Sequence, residues 1–105
     1  KPRCARWRSL CVERIKIVAE RICSYKNNRQ HVVVVVSAMA DTADELEELA
    51  FQITQNPEER EMDMLMSTGE QISCALLAMA VKERGMDAIS MTGGQVGIKT
   101  DKSFL

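Results

Sequence analysis

Apolar positions follow two different periods along this chain. From about Leu10, residues Cys11, Ile15, Val18, Ile22 and Tyr25 recur at spacings of four, three, four and three, which puts them on one stripe of an α-helix. Glu13, Lys16, Glu20 and Arg21 fall away from that stripe. Asn27-Asn28 closes the helix, because asparagine tolerates turn conformations. Residues 1–9 match no clear element. Residues 32–36 are five consecutive valines. β-branched side chains pack well on a pleated surface, and an unbroken apolar run predicts a strand covered on both faces.

The valines end at Ser37-Ala38-Met39-Ala40-Asp41-Thr42, a short polar turn into a second helix over about residues 42–54. Thr42-Ala43-Asp44-Glu45 fits a capping box, and Leu46, Leu49, Ala50 and Ile53 give the buried face. Asn56-Pro57 stops this helix, since the residue before proline avoids helical geometry. Residues 58–66 read as a short helical stretch. Ser67-Thr68-Gly69-Glu70 is a second capping-box pattern, predicting the start of a strongly apolar helix with Ile72, Ala75, Leu76, Met79 and Ala80 on its buried face. Gly85 is placed to end it. Residues 87–91 read as a second short strand, and Thr92-Gly93-Gly94-Gln95-Val96-Gly97 as a turn-rich loop. Strands alternating with helices imply a parallel sheet with right-handed crossovers. Two strands alone are too few for a stable sheet, so another segment or another chain is expected to supply the rest.

Composition narrows this α/β reading. The chain has 105 residues, enough for one domain, and only 4% are aromatic, so aliphatic and Met side chains must fill the core. There is no run of about 18 apolar residues to suggest a membrane span, and no apolar segment follows the basic start as in a signal peptide. Lys1, Arg3, Arg6 and Arg8 make the first eight residues basic, while the whole chain carries −1. A basic arm with Trp7 could contact nucleic acid, but the acidic remainder would repel phosphates. Cys4, Cys11, Cys23 and Cys74 form no C-x-x-C pair and His31 is the only histidine, so reduced thiols are favoured over a zinc site. A single histidine beside a strand offers no Ser-His-Asp arrangement. In Gly93-Gly94-Gln95-Val96-Gly97-Ile98-Lys99-Thr100, Ile98 separates the glycine from Lys-Thr, so the P-loop pattern fails.

Ser37 and Glu70 stand out by position. One ends the valine run, and the other falls in the first turn of the predicted apolar helix. Both therefore lie where an open α/β sheet binds ligands. A hydroxyl and helix N-terminal N–H groups suit a carboxylate, and Glu70 suits an ammonium group, together a cradle for a zwitterion. The simpler alternative is that Glu70 only completes a capping box.

Five segments occur in the order and spacing found in aspartokinases: Val33-Val34-Val35-Val36-Ser37-Ala38-Met39, Asp44-Glu45-Leu46, Arg60-Glu61-Met62-Asp63-Met64-Leu65, Ser67-Thr68-Gly69-Glu70-Gln71 and Thr92-Gly93-Gly94-Gln95-Val96-Gly97. Val12-Glu13-Arg14-Ile15 with Val18-Ala19-Glu20-Arg21-Ile22 is similar to the family's first helix. The resemblance covers roughly residues 12–101. It implies a fragment of the amino-acid-kinase fold, an αβα three-layer sandwich with a mostly parallel sheet. It also implies transfer of the ATP γ-phosphoryl group to the L-aspartate β-carboxylate, with Mg²⁺, in a cytoplasmic homo-oligomer engaging neither nucleic acid nor membrane. By the same resemblance Ser37 contacts aspartate and Glu70 binds its ammonium group.

The chain departs from the family at two places. The family opens with a strand bearing Lys-Phe-Gly-Gly-Thr-Ser, where this chain has Lys1-Pro2-Arg3-Cys4-Ala5-Arg6-Trp7-Arg8, leaving Lys1 as the one candidate equivalent. Residues 1–11 are thus expected to be altered or disordered. Ala43 stands where the family has a substrate-contacting threonine. The ATP-binding half and the regulatory ACT domains of the family have no counterpart in residues 1–105, so the chain reads as a partial catalytic domain, inactive alone. Two alternatives remain: a non-catalytic dimerisation or regulatory module of the same fold, and another amino-acid kinase.

Overall fold

Helix α1 spans Pro2–Asn27 and begins well before the apolar stripe at Cys11. Proline opens a helix readily, because its fixed φ suits the first turn and its missing N–H would have no partner there. Residues 2–9, which match no element by pattern, therefore belong to this helix. The computed structural model describes residues 2–27, 31–39 and 41–97. Lys1 and Ala40 lie outside them.

The buried line on α1 is rotated slightly from the predicted stripe. Ala19 and Cys23 are buried and Ile15 and Ile22 pack beside them, while Val18 and Tyr25 are exposed. The small side chains of Ala19 and Cys23 allow close approach of the facing helix, which leaves the larger neighbours at the margin.

Helix α2 spans Thr42–Ile53. The predicted capping box is not formed. Asp41 is the N-cap, at φ 70°, and its side chain makes no cap hydrogen bond. Thr42 is buried one position inside the helix. Asp41 contributes through its backbone, its carbonyl accepting from Glu45 N–H at 2.9 Å. Left-handed backbone is tolerated by aspartate better than by most residues. Of the predicted buried face, Leu46 and Ala50 are half-buried, whereas Leu49 and Ile53 are exposed.

Helix α3 runs without a break over Glu59–Glu83 and fuses the two helices predicted on either side of Ser67. Ser67 Oγ donates to Met64 O at 2.8 Å and Thr68 Oγ1 to Leu65 O at 2.7 Å. A hydroxyl satisfied by a carbonyl of the preceding turn has no need to leave the helix and cap a new one. Gly69, Ser73, Leu77 and Val81 form the buried line, one residue every four. The predicted face is displaced, since Ile72, Leu76 and Met79 are exposed. Gly85, at φ +87°, follows the helix, and its N–H donates to Lys82 O at 2.9 Å, in the role expected of it. By length and composition α3 could cross a membrane. Its buried line faces α1 and α2, and Glu70 would cost about 2.5–3.5 kcal/mol at a bilayer centre.

α3 is the central helix, packed against α1 on one side and α2 on the other. Its core with α1 consists of Ala19, Cys23, Leu77 and Val81, with Val36, Met86 and Ala88 packed against it from the two predicted strands. Among the described residues those strands do not form. Residues 31–39 and 86–92 carry no helix or ladder pairing, and among the described residues no backbone–backbone hydrogen bond reaches residues 32–36 or 87–91. They nonetheless alternate like strands. Val33 and Val35 are over nine-tenths exposed, while Val32, Val34 and Val36 are more covered, and in the second run Met86 and Ala88 are half-buried while Asp87 and Ile89 are exposed. The valine run is therefore covered on one face, not two. The molecule is a slab only 15 Å in its shortest dimension, room for helices and one further layer.

Candidate functional site

Two cavities meet between the extended runs. The larger, about 530 Å³, is apolar. Ile22 and Cys23 of α1 and Leu77 and Val81 of α3 line it together with residues of both runs. The second, about 480 Å³, opens where the runs end and is more polar. Ser67, Glu70 and Gln71 of α3 line one side, and Ser90, Thr92 and Gln95 another. Val36, Cys74, Ser90, Met91, Thr92 and Gly93 border both cavities. Each run thus reaches the polar cavity by its carboxyl end, so the two lie parallel.

A reciprocal pair of hydrogen bonds fixes one wall. Thr92 N–H donates to Gln95 Oε1 at 2.8 Å, and Gln95 N–H donates to Thr92 Oγ1 at 3.2 Å. Val96 N–H reaches Thr92 O at 3.2 Å, and Gly97, at φ +86°, donates to Gly94 O at 3.2 Å. The motif reading passed over Thr92 and Gln95, although Thr-x-x-Gln is the spacing at which side chain and backbone can satisfy each other in this way. The opposite wall depends on Gly69. A β-carbon there would lie 3.2 Å from Ala38 Cβ, 3.4 Å from Thr42 Cγ2 and 3.5 Å from Leu46 Cδ1. The missing side chain lets α3 approach the turn that follows the valines, with Glu70 the next residue along.

The candidate residues are placed as follows. Glu70 lines the polar cavity, exposed to it. It lies deep inside α3, whose first residue is Glu59, so its own N–H is not among the free donors of a helix start. The expectation that Glu70 falls in the first turn of the apolar helix is thereby corrected. Ser37 is exposed and directly follows Val36 of the cavity wall, but lines neither cavity. Ala43 is half-buried in the first turn of α2 and also lines neither. Lys1 is outside the described residues. Cys23 and Cys74 are free thiols, and His31 lies at the amino-terminal end of the apolar cavity. Among the described residues no three His, Cys, Asp or Glu side chains come together to hold a metal ion.

What the arrangement offers chemically is a carboxylate together with hydroxyl and amide groups lining one cavity at the carboxyl ends of the two runs. That is the place and the chemistry for a small charged ligand.

Comparison with known proteins agrees with the motif spacing. The profile of the Amino acid kinase family matches residues 8–104. An aspartokinase of Bacillus sp. (strain MGA3) is 57% identical over 93 residues, covering 89% of this chain and 23% of that protein. Aspartokinase 2 of Bacillus subtilis (strain 168) is 51% identical over 90 residues, 86% of this chain and 22% of that protein. The crystal structure of aspartate kinase from Synechocystis superposes with a TM-score of 0.76 at 55% identity, over 80% of this chain and 14% of that one. The chain thus spans under a quarter of the length of these relatives. With a family profile matched along nearly its whole length, the chain belongs to the amino acid kinase family.

Proposed function

We propose that this chain is part of an aspartate kinase and forms the aspartate-binding side of its catalytic domain. The parent enzyme transfers the γ-phosphoryl group of ATP to the β-carboxylate of L-aspartate, opening the route to lysine, threonine and methionine. The observation that carries this reading is the position of Glu70 on the wall of a polar cavity at the carboxyl ends of two parallel runs. Its carboxylate receives the substrate ammonium group. Ser37, at the end of the valine run, contacts the substrate from the neighbouring turn. In the whole domain, residues 32–36 and 87–91 are strands of a mostly parallel sheet within an αβα sandwich.

ATP and Mg²⁺ enter through family membership. ATP supplies the transferred phosphoryl group, and no step is assigned to it on residues of this chain. Positioning and charge neutralisation carry phosphoryl transfer, so a chain that holds one substrate without the other is inactive. The parent is cytoplasmic and homo-oligomeric. Ile72, Leu76 and Met79, exposed on α3, are surface that a further contact would cover.

The test is Glu70→Gln in the parent enzyme. A hydrogen bond to a charged group contributes about 1.5–3 kcal/mol, so KM for aspartate should rise roughly 10- to 100-fold while KM for ATP stays within about twofold. Equal effects on both substrates, or none on aspartate, would remove Glu70 from the aspartate site.

A further inference from the structure

A zwitterion in the polar cavity needs hydrogen-bond donors for its carboxylate as well as Glu70 for its ammonium group. The helix start expected beside Glu70 lies at Glu59, so the donors have to come from another wall. Residues 92–97 supply them, and their backbone donors can be counted. Thr92 N–H is bound to Gln95 Oε1, and Gln95 N–H to Thr92 Oγ1. Val96 N–H is bound to Thr92 O, and Gly97 N–H to Gly94 O. Among the described residues no hydrogen bond uses the N–H of Gly93 or of Gly94. Gly93 lines the same cavity as Glu70. Backbone conformation requires neither glycine, since the described residues with positive φ are Asp41, Gly85 and Gly97. Packing does not require Gly94 either: a β-carbon there would meet Thr92 Oγ1 at 3.9 Å, an ordinary contact. What the missing side chains leave is open access to two successive amide donors. Backbone N–H groups bind an anionic oxygen with shorter and stronger bonds than a neutral one.

We propose that the N–H groups of Gly93 and Gly94 form the carboxylate-binding half of this site, and that Thr92 and Gln95 are positioning residues that hold these two donors in place. The ligand is an α-amino acid, with its ammonium group on Glu70 and its α-carboxylate on the glycine pair; this rests on the assignment of Glu70 to the substrate ammonium group. The two ligand groups share one carbon atom, so both anchors have to border one cavity, as Glu70 and Gly93 do. The side-chain carboxylate of aspartate is then left free for phosphoryl transfer. Thr92 and Gln95 close a four-residue loop around the glycines with two bonds between side chain and backbone. Glycine has more backbone freedom than any other residue. Without the clasp, the cost of ordering the two donors would fall on binding.

The test uses the parent enzyme and two competitors of aspartate, each of them aspartate with one group removed. Succinate lacks the ammonium group, and β-alanine lacks the α-carboxylate. Thr92→Val and Gln95→Leu break different bonds of the clasp. Each should raise KM for aspartate and the inhibition constant of succinate by the same factor, roughly 3- to 10-fold, and leave β-alanine within about twofold. Thr92→Ser keeps the hydroxyl and should restore wild-type values. Glu70→Gln should do the converse, weakening β-alanine and sparing succinate. Failure of the Glu70 assignment therefore shows with one competitor, and failure of the glycine pair with the other. The proposal is overturned if succinate does not inhibit the wild-type enzyme, since the loop then holds no carboxylate of its own. Equal weakening of succinate and β-alanine would mean that the clasp only supports the fold. A loss in just one of Thr92→Val and Gln95→Leu would mean that this side chain touches the ligand itself. A matching rise in KM for ATP would give the two donors to a phosphate group instead.

Discussion

Replacing Gly69 by alanine tests how closely α3 is meant to approach the turn after the valines. Two effects oppose each other. In a helix interior, alanine is favoured over glycine by about 1 kcal/mol through backbone entropy. Against this, the new methyl meets Ala38 Cβ at 3.2 Å, Thr42 Cγ2 at 3.4 Å and Leu46 Cδ1 at 3.5 Å. The leucine methyl is the end of a flexible side chain and can turn aside. Ala38 Cβ moves only with its backbone. Adding a methyl to a packed contact typically costs about 1–3 kcal/mol, so the variant should be destabilised by up to about 2 kcal/mol despite its better helix propensity. Urea unfolding followed by far-ultraviolet circular dichroism measures this. With a slope of about 1–3 kcal/mol/M for a small protein, the midpoint falls by several tenths molar. Ala38→Gly in the same molecule removes the opposing methyl and should restore part of the loss, a coupling of about 1 kcal/mol between the two sites. If Gly69→Ala instead stabilises the chain by the full helix-propensity gain, and adds independently to Ala38→Gly, the close approach is not real. Glu70 would then not be held where the site requires it.

Other expectations follow from the same structure. Gly85→Ala places a β-carbon at φ +87° with open space around it, so the loss is conformational alone, about 1–2 kcal/mol by urea unfolding, and Gly85→Asn should lose less. Val33→Lys and Val35→Lys change positions over nine-tenths exposed and should alter the unfolding free energy of this chain, measured in urea, by under about 0.5 kcal/mol, whereas a valine run buried on both faces would lose several times more. Thr92→Ala and Gln95→Leu each break one hydrogen bond of a reciprocal pair. Each should cost about 0.5–1.5 kcal/mol, and because the two bonds hold one turn, the double variant should lose less than the sum, as a double-mutant cycle would report.

The helices were more legible than their registers. Apolar periodicity located α1 and the apolar part of α3, and the glycine at 85 marked an end correctly, because these signals are local. Ser67-Thr68-Gly69-Glu70 misled, since the same residues that cap a helix also sit inside one when their hydroxyls bond the preceding turn. The buried line Gly69, Ser73, Leu77, Val81 was hidden behind larger side chains at 72, 76 and 79. Small residues mark where helices come closest, and their low hydrophobicity gives no signal in a periodicity count. The valines at 32–36 read as a strand because their alternation and branching are those of a strand. Pairing is a property of neighbours, and among the described residues no neighbour is present. Glu70 lines the polar cavity, but the helix start expected beside it lies at Glu59, so donors from an N-terminus of α3 are not next to it. Thr92 and Gln95 carried a readable spacing that a search for phosphate loops passed over.

The measurement that bears most directly on the aspartate site is a ¹⁵N NMR titration of this chain with L-aspartate, with the Glu70→Gln variant alongside. A working half-site gives saturable shifts at Ser67, Glu70, Gln71 and residues 92–95, near Ser37 as well, and the variant shows them only at much higher ligand concentration. A dispersed spectrum in which none of these residues responds, or responds equally in the variant, would contradict the assignment of this cavity to aspartate.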